Sequence, residues 1–193
     1  LAVEMLTTDN AERAVSLAAY VDELNNNRKT VERRILKEAK EQIDANPDWE
    51  AHPTLVLAHH DWHPGVIGIV ASRIGEMFEK PTVMISLKDD GTGQGSARSF
   101  AGFDMYAALN ACRGCLLGCG GHKAAAGLQI EGKRVEEFRT SLCNWASANF
   151  APTDDDTVLR VDAEVHLSEV TRRAVMELQH LGPFGASNPK PRF

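Results

Sequence analysis

The chain has 193 residues, 43% of them hydrophobic and 25% charged, with a formal net charge of -6. This is an ordinary globular composition, with room for one sizeable domain and appendages. It contains no run of about 18 apolar residues, so no membrane helix is predicted, and the negative balance speaks against a broad electrostatic grip on nucleic acid. The acidic excess lies mostly outside residues 60–123, where acids and bases balance, so a local basic site is still possible there. Four cysteines without a secretory signal point to reduced thiols and a cytoplasmic setting. The chain opens on Leu1 rather than methionine and stops at Phe193 without a polar tail, which predicts a piece of a longer protein.

In chain order, Asp9 with Glu12 predicts a capped helix start. Ala14, Leu17, Val21 and Leu24, then Val31, Ile35, Ala39 and Ile43, continue one helical stripe across Asn25-Asn26-Asn27. This is one long helix with a weak joint or two in series, either connecting two domains or lying on a surface. Thr54–Ala58 predicts a buried strand, and a helix follows from Pro64 through Phe78. Pro81–Leu87 and Gln94–Phe100 predict two more strands. Asp104 caps a helix predicted to reach Leu117. Gly120-Gly121-His122 turns into strand Ala126–Ile130, and Val135–Ala148 is an amphipathic helix. An acidic linker, Ala151–Asp156, leads to a strand at Thr157–His166 and a last helix capped by Ser168. Alternating strands and helices define an α/β domain. The predicted boundaries are 1–50, 51–150 and 151–193.

Three clusters could carry chemistry. Small residues surround His122 and Lys123, and paired glycines let a backbone approach a ligand closely. That suits a pocket for an anion; the alternative is a plain tight turn between helix and strand. Gly95-Ser96-Ala97-Arg98-Ser99 sets a guanidinium fork between hydroxyls, with Ser96 and Arg98 on one strand face and Ser99 on the other. His59, His60, Asp61 and His63 are too close in sequence to converge easily on one metal. His63 instead precedes Pro64-Gly65, where helix N–H groups attract phosphate. Cys112, Cys115, Cys119 and His122 would share a helical face, which suits zinc or simple core packing.

In combination, Asp61–Arg73, Gly95–Ser99, Gly102–Asp104 and Gly120–Gly127 resemble the bacterial RecJ family of single-strand-specific exonucleases. The Gly120–Gly127 block resembles the signature of the DHH-associated domain of DHH phosphoesterases. The resemblance implies a mixed sheet flanked by helices and preceded by a long connecting helix, here Ala11 to Ile43. It also implies the start of an oligonucleotide-binding β module in the tail, with Leu181-Gly182-Pro183-Phe184-Gly185. The implied activity is degradation of single-stranded DNA from the 5′ end, by a monomer using manganese or magnesium. The metal ligands of that family lie in the DHH domain, which this chain lacks; His59-His60-Asp61 is only a reversed look-alike. No catalytic or metal residue is therefore expected here. Arg98, Gly120, Gly121 and His122 carry over as substrate contacts, with Ser96, Ser99, His63 and Lys123 as further candidates. A smaller DHH phosphodiesterase acting on short oligonucleotides or cyclic dinucleotides, and a non-catalytic binding scaffold, are the alternative readings.

Overall fold

The computed structural model describes residues 1–151, 158 and 161–193. The chain divides into two compact units, Leu1–Thr153 and Asp154–Phe193.

The first unit is built on a five-stranded sheet of order β1-β2-β3-β5-β4. The strands are β1 Leu55–His59, β2 Thr82–Leu87, β3 Thr92–Arg98, β4 Gly118–Gly121 and β5 Ala125–Glu131. β1 and β2 run parallel through the crossover helix α3, Ile67–Phe78, and the remaining pairs are antiparallel. A short helix α1, Ala2–Thr7, precedes α2, Ala11–Asp44. Helices α4, Met105–Ala111, and α5, Val135–Asn149, complete the layer on the opposite face.

Side chains alternate across the strands, so β1 and β2 feed two cores, while β3 and β5 feed one. Val56, Val83, Ile85, Ala97, Leu128 and Ile130 face α4 and α5, meeting Phe103, Leu109, Phe138 and Leu142. Leu55, Leu57 and Met84 face the other way, against Ile67, Val70 and Ile74 of α3 and Ile35 and Ala39 of α2. Each such aliphatic or aromatic side chain contributes about 1.5–3 kcal/mol on burial. Arg139 of α5 is buried and donates through Nε and Nη2 to the carbonyl of Val56, at 3.0 and 2.8 Å. Its guanidinium also lies over the Trp49 ring.

α2 is one continuous helix of 34 residues, with no break at Asn25–Asn27. Its cap is Asn10, whose side chain accepts from Arg13 N–H, rather than Asp9. Only Leu17 of the first half of its stripe is buried, whereas Ile35, Ala39 and Ile43 are all covered. The buried Glu32 carboxylate binds Arg28 at 2.6 Å and Arg73 of α3 at 2.8 Å, joining the two helices. The loop after β1 is fastened to α2 by Trp62 Nε1 donating to Glu38 and by Arg34 donating to the carbonyl of Asp61. Ser86 Oγ adds a buried 2.6 Å bond to the carbonyl of Trp62.

Three further helix ends differ from expectation. α3 starts at Ile67, because His63–Val66 forms a turn in which Val66 and Ile67 N–H groups donate to His63 O. α4 stops at Ala111 instead of Leu117. Arg113-Gly114-Cys115 forms one tighter turn, and the chain then enters β4. The last helix, α6 Arg172–Leu178, is capped by Thr171 instead of Ser168.

Part of the acidic linker and part of the expected strand at Thr157–His166, residues 152–157 and 159–160, lie outside the described residues. Residues 161–166 form no strand. In the second unit, Asn188 Nδ2 donates to the carbonyls of Leu181 and Pro183 and closes the Pro-Gly turn.

Candidate functional site

The α3 layer covers β1 and β2 and reaches over the Ser96–Arg98 end of β3, where Gly68 lies against both side chains. The rest of that face is open and carries three rungs set by strand register. Arg98 stands beside Ala125. Ser96 stands beside Gly127, which stands beside Gly120. Gln94 stands beside Gln129, which stands beside Gly118. A side chain added at Gly120 would meet nothing within 4 Å, and one at Gly127 only Gly95 O at 3.8 Å. Internal packing therefore does not demand glycine at either position. What glycine does here is leave the backbone bare on the open side. β4 is an edge strand, so N–H groups on its outer side have no ladder partner and can donate to a ligand.

Two adjoining open cavities of about 410 and 420 Å³ lie over this floor and share Gln94, Gly95, Gly120 and Gly127. The first is also lined by Ser96, Arg98, Gly121 and His122, with Pro64 and Ile67 on the α3 side. No Asp or Glu lines either cavity. Arg98 and His122, 24 positions apart in sequence, thus share one concave surface.

Arg98 is half-buried, and its Nη1 donates to Ser96 Oγ at 2.9 Å and to the carbonyl of Ala97 at 2.8 Å. Among the described residues no carboxylate pairs with it. Two bonds fix the guanidinium while Nε and Nη2 keep unused donors. Gly68 of α3 lies directly over this group: a Cβ there would stand 2.7 Å from Arg98 Nη2 and 2.8 Å from Ser96 Oγ. The missing side chain at Gly68 is what lets α3 and the guanidinium coexist.

His122 is held by a tight hairpin. Its N–H donates to the carbonyl of Ala125 at 2.9 Å and its carbonyl accepts from Ala125 N–H, leaving Lys123-Ala124 at the tip. The tip carbonyls are fastened from behind, Lys123 O by Met105 N–H and Ala124 O by Ser99 N–H. Gly121 has φ +146°, and a Cβ there would lie 2.5 Å from Ala125 O. This position does require glycine. His122 Nδ1 accepts from Ala124 N–H at 3.3 Å, which leaves the ring proton on Nε2.

The other candidates separate. Ser99 donates its hydroxyl to the carbonyl of Phe103 at 2.6 Å, so it braces the 99–103 loop and lies off the cavity lining. His63 is exposed and accepts from Gly65 N–H at Nδ1, outside the lining, although Pro64 next to it is on the rim. Lys123 is exposed at the hairpin tip beside His122. The cysteines do not share a helical face. Cys112 ends α4, Cys115 lies in the following turn, and Cys119 is in β4. Burial, with the Cys115 and Cys143 thiols nearby, pushes the Cys112 thiol up to about 11. Among the described residues, no three His, Cys, Asp or Glu side chains converge as metal ligands. These residues therefore do not fit a divalent metal.

Sequence reading missed the strand β4 and the residues Gln94, Gln129 and Gly68. The period-two alternation that pairs Ser96 with Arg98 extends back to Gln94 and could have found it. Gln129 and Gly68 depend on register and helix packing, which no local pattern reveals.

The DHHA1 domain family matches residues 52–148, and the chain belongs to that family. The RecJ OB domain family matches residues 161–193. Within this class the chain is similar to the single-stranded-DNA-specific exonuclease RecJ. It is 34% identical to RecJ of Bacillus subtilis over 98% of this chain and 24% of the relative. It is also 34% identical to RecJ of Dickeya dadantii, over 99% of this chain and 34% of the relative. The solved structure of RecJ from Thermus thermophilus with Mg2+ superposes with a TM-score of 0.82 at 31% identity, covering 98% of this chain and 29% of that one. A Mn2+ complex from the same organism gives 0.78 at 30% identity, covering 95% of this chain and 26% of that one. The chain thus spans about a quarter to a third of the length of the curated relatives it matches. No helix among the described residues is long and apolar enough to cross a membrane.

Proposed function

We propose that this chain is the strand-holding part of a 5′-to-3′ single-stranded-DNA exonuclease of DNA repair and recombination. The observation that carries this reading is the acid-free groove that Arg98 and His122 both line, over bare glycine backbone. A single strand offers repeated phosphates and no rigid groove to read. Arg98 supplies a permanent charge with two unused donor positions, and His122 supplies Nε2–H. The relatives of this chain are named as exonucleases specific for single-stranded DNA. Phosphodiester hydrolysis by such an enzyme needs a metal-activated water, and the groove has no ligand set for one. Manganese or magnesium would be held by a DHH domain, with this chain presenting the strand to it. The chain by itself is then inactive. A cytoplasmic monomer is the setting that fits this reading.

A charge-assisted hydrogen bond contributes about 1.5–3 kcal/mol. Arg98→Ala and His122→Ala should therefore each slow cutting of subsaturating 5′-labelled single strands by about ten- to a hundredfold. The assay uses the intact protein, in which this chain is joined to its DHH domain, with Mn2+ and with circular dichroism as the folding control. Variants that fold and cut at the wild-type rate would refute the reading.

A further inference from the structure

The groove continues past the Arg98–His122 site. Its second cavity, of about 420 Å³, is lined by Gln94, Gly118, Gly120, Gly127 and Gln129. Gln94 is four positions from Arg98 on β3, or about 13 Å along the strand. Gln94 and Gln129 are opposite each other in the register, on the same open face as Arg98. Both are exposed, and among the described residues neither amide has a hydrogen-bond partner. This end of the groove has no charged side chain in its lining. The cavity thus changes character along its length, from cationic at Arg98 to neutral and amide-lined at the glutamines.

We infer that the Gln94–Gln129 rung is a nucleotide subsite that takes the base and sugar one nucleotide along the strand from the one whose 5′-phosphate Arg98 and His122 hold. This inference rests on the function proposed above and adds to it where the strand goes next. Each amide offers two donors and one acceptor oxygen and can turn end for end. Two such groups on one rung can meet the edge of any base, because each can present either N–H or C=O. That gives contact without sequence choice. A cation at this rung would select phosphate, and a carboxylate would repel the strand; the glutamines do neither. The bare backbone at Gly120 and Gly127 leaves room for a planar base to approach the floor, since a side chain at Gly120 would occupy otherwise open space. The chemistry recognised is a nucleobase in a single strand, of any of the four kinds.

The test is isothermal titration of the intact protein, without divalent metal, with thymidine 5′-monophosphate and with the 5′-phosphorylated thymidine dinucleotide. The variants are Gln94→Ala, Gln129→Ala and Arg98→Ala. The wild type should bind the dinucleotide more tightly than the mononucleotide. Gln129→Ala should leave mononucleotide affinity unchanged, and Gln94→Ala and Gln129→Ala should each weaken the dinucleotide by about two- to tenfold. The same loss should appear with adenine and cytosine dinucleotides. Arg98→Ala should weaken every ligand. If Arg98→Ala weakens binding while both glutamine variants hold the dinucleotide as the wild type does, the subsite is wrong and the phosphate site stands. If Arg98→Ala changes nothing, or if the wild type binds neither ligand, the phosphate site fails and the subsite fails with it.

Discussion

Replacing Gly68 by alanine separates function from stability. The new Cβ would lie 2.7 Å from Arg98 Nη2 and 2.8 Å from Ser96 Oγ. Ordinary contact distances are about 3.5–4.0 Å, so the guanidinium has to retreat by about 1 Å. Arg98 is a long side chain that can swing outward without moving the backbone, so the fold tolerates the change. The helix gains from it, since alanine is favoured over glycine in a helix interior by about 0.5–1 kcal/mol, and somewhat less near the first turn, where Gly68 sits. A guanidinium displaced from its phosphate loses up to about 1.5–3 kcal/mol. The melting temperature should therefore hold or rise slightly, while affinity for oligothymidylate falls about ten- to a hundredfold. Fluorescence anisotropy of a labelled oligothymidylate, with thermal melting alongside, reads both quantities. The loss should vanish in an Arg98→Ala background, because the two residues act through one contact. Wild-type affinity in Gly68→Ala, or an undiminished loss in the double variant, would show that Gly68 does not position Arg98.

Gly121→Ala should act on the fold instead. Its φ of +146° disfavours any side chain, and the Cβ would strike backbone atoms of Ala125 and Ala126 at 2.5 Å. A loss of about 2–3 kcal/mol in urea unfolding is expected, against little change for Gly120→Ala, whose Cβ meets nothing within 4 Å. The Cys112 thiol should be inert to alkylation in the native protein, because burial raises it from 9.0 to about 11. The unfolded chain loses this proton first, so the folded state binds more protons between those values. Stability should then fall as pH rises from about 9 to about 11 and should not depend on this group near neutrality. Urea midpoints across that range, compared with Cys112→Ala, check the sign.

Much of the architecture was legible because side-chain patterns carried it. β1 and β2 are continuous apolar runs, as strands covered on both faces must be. α5 shows its buried face at Phe138 and Leu142. β4 was not legible, because Gly118-Cys119-Gly120-Gly121 has almost no side chains with which to alternate. The same bareness hid the open floor and suggested a turn instead. The helix expected through Leu117 failed for a related reason. Cysteines at helical spacing mimic a stripe, yet α4 ends at Ala111 and the tighter turn Arg113–Cys115 leads the chain into the sheet edge. The caps at Asn10 and Thr171 each lie close to a rival capping residue, and local sequence does not choose between them. At the site, Arg98 and Ser96 followed from alternation along one strand. Their meeting with His122 required the β3–β5–β4 register, which is long-range information.

The central claim is that Arg98 grips a strand phosphate in this groove. The most direct measurement is the salt dependence of oligothymidylate affinity for the intact protein without divalent metal, wild type against Arg98→Ala. Each neutralised phosphate of a single strand contributes a slope of about 0.7 in log affinity against log salt. Arg98→Ala should lower affinity about ten- to a hundredfold and flatten the slope by about 0.7. Equal affinity and equal slope in the two proteins would contradict the account.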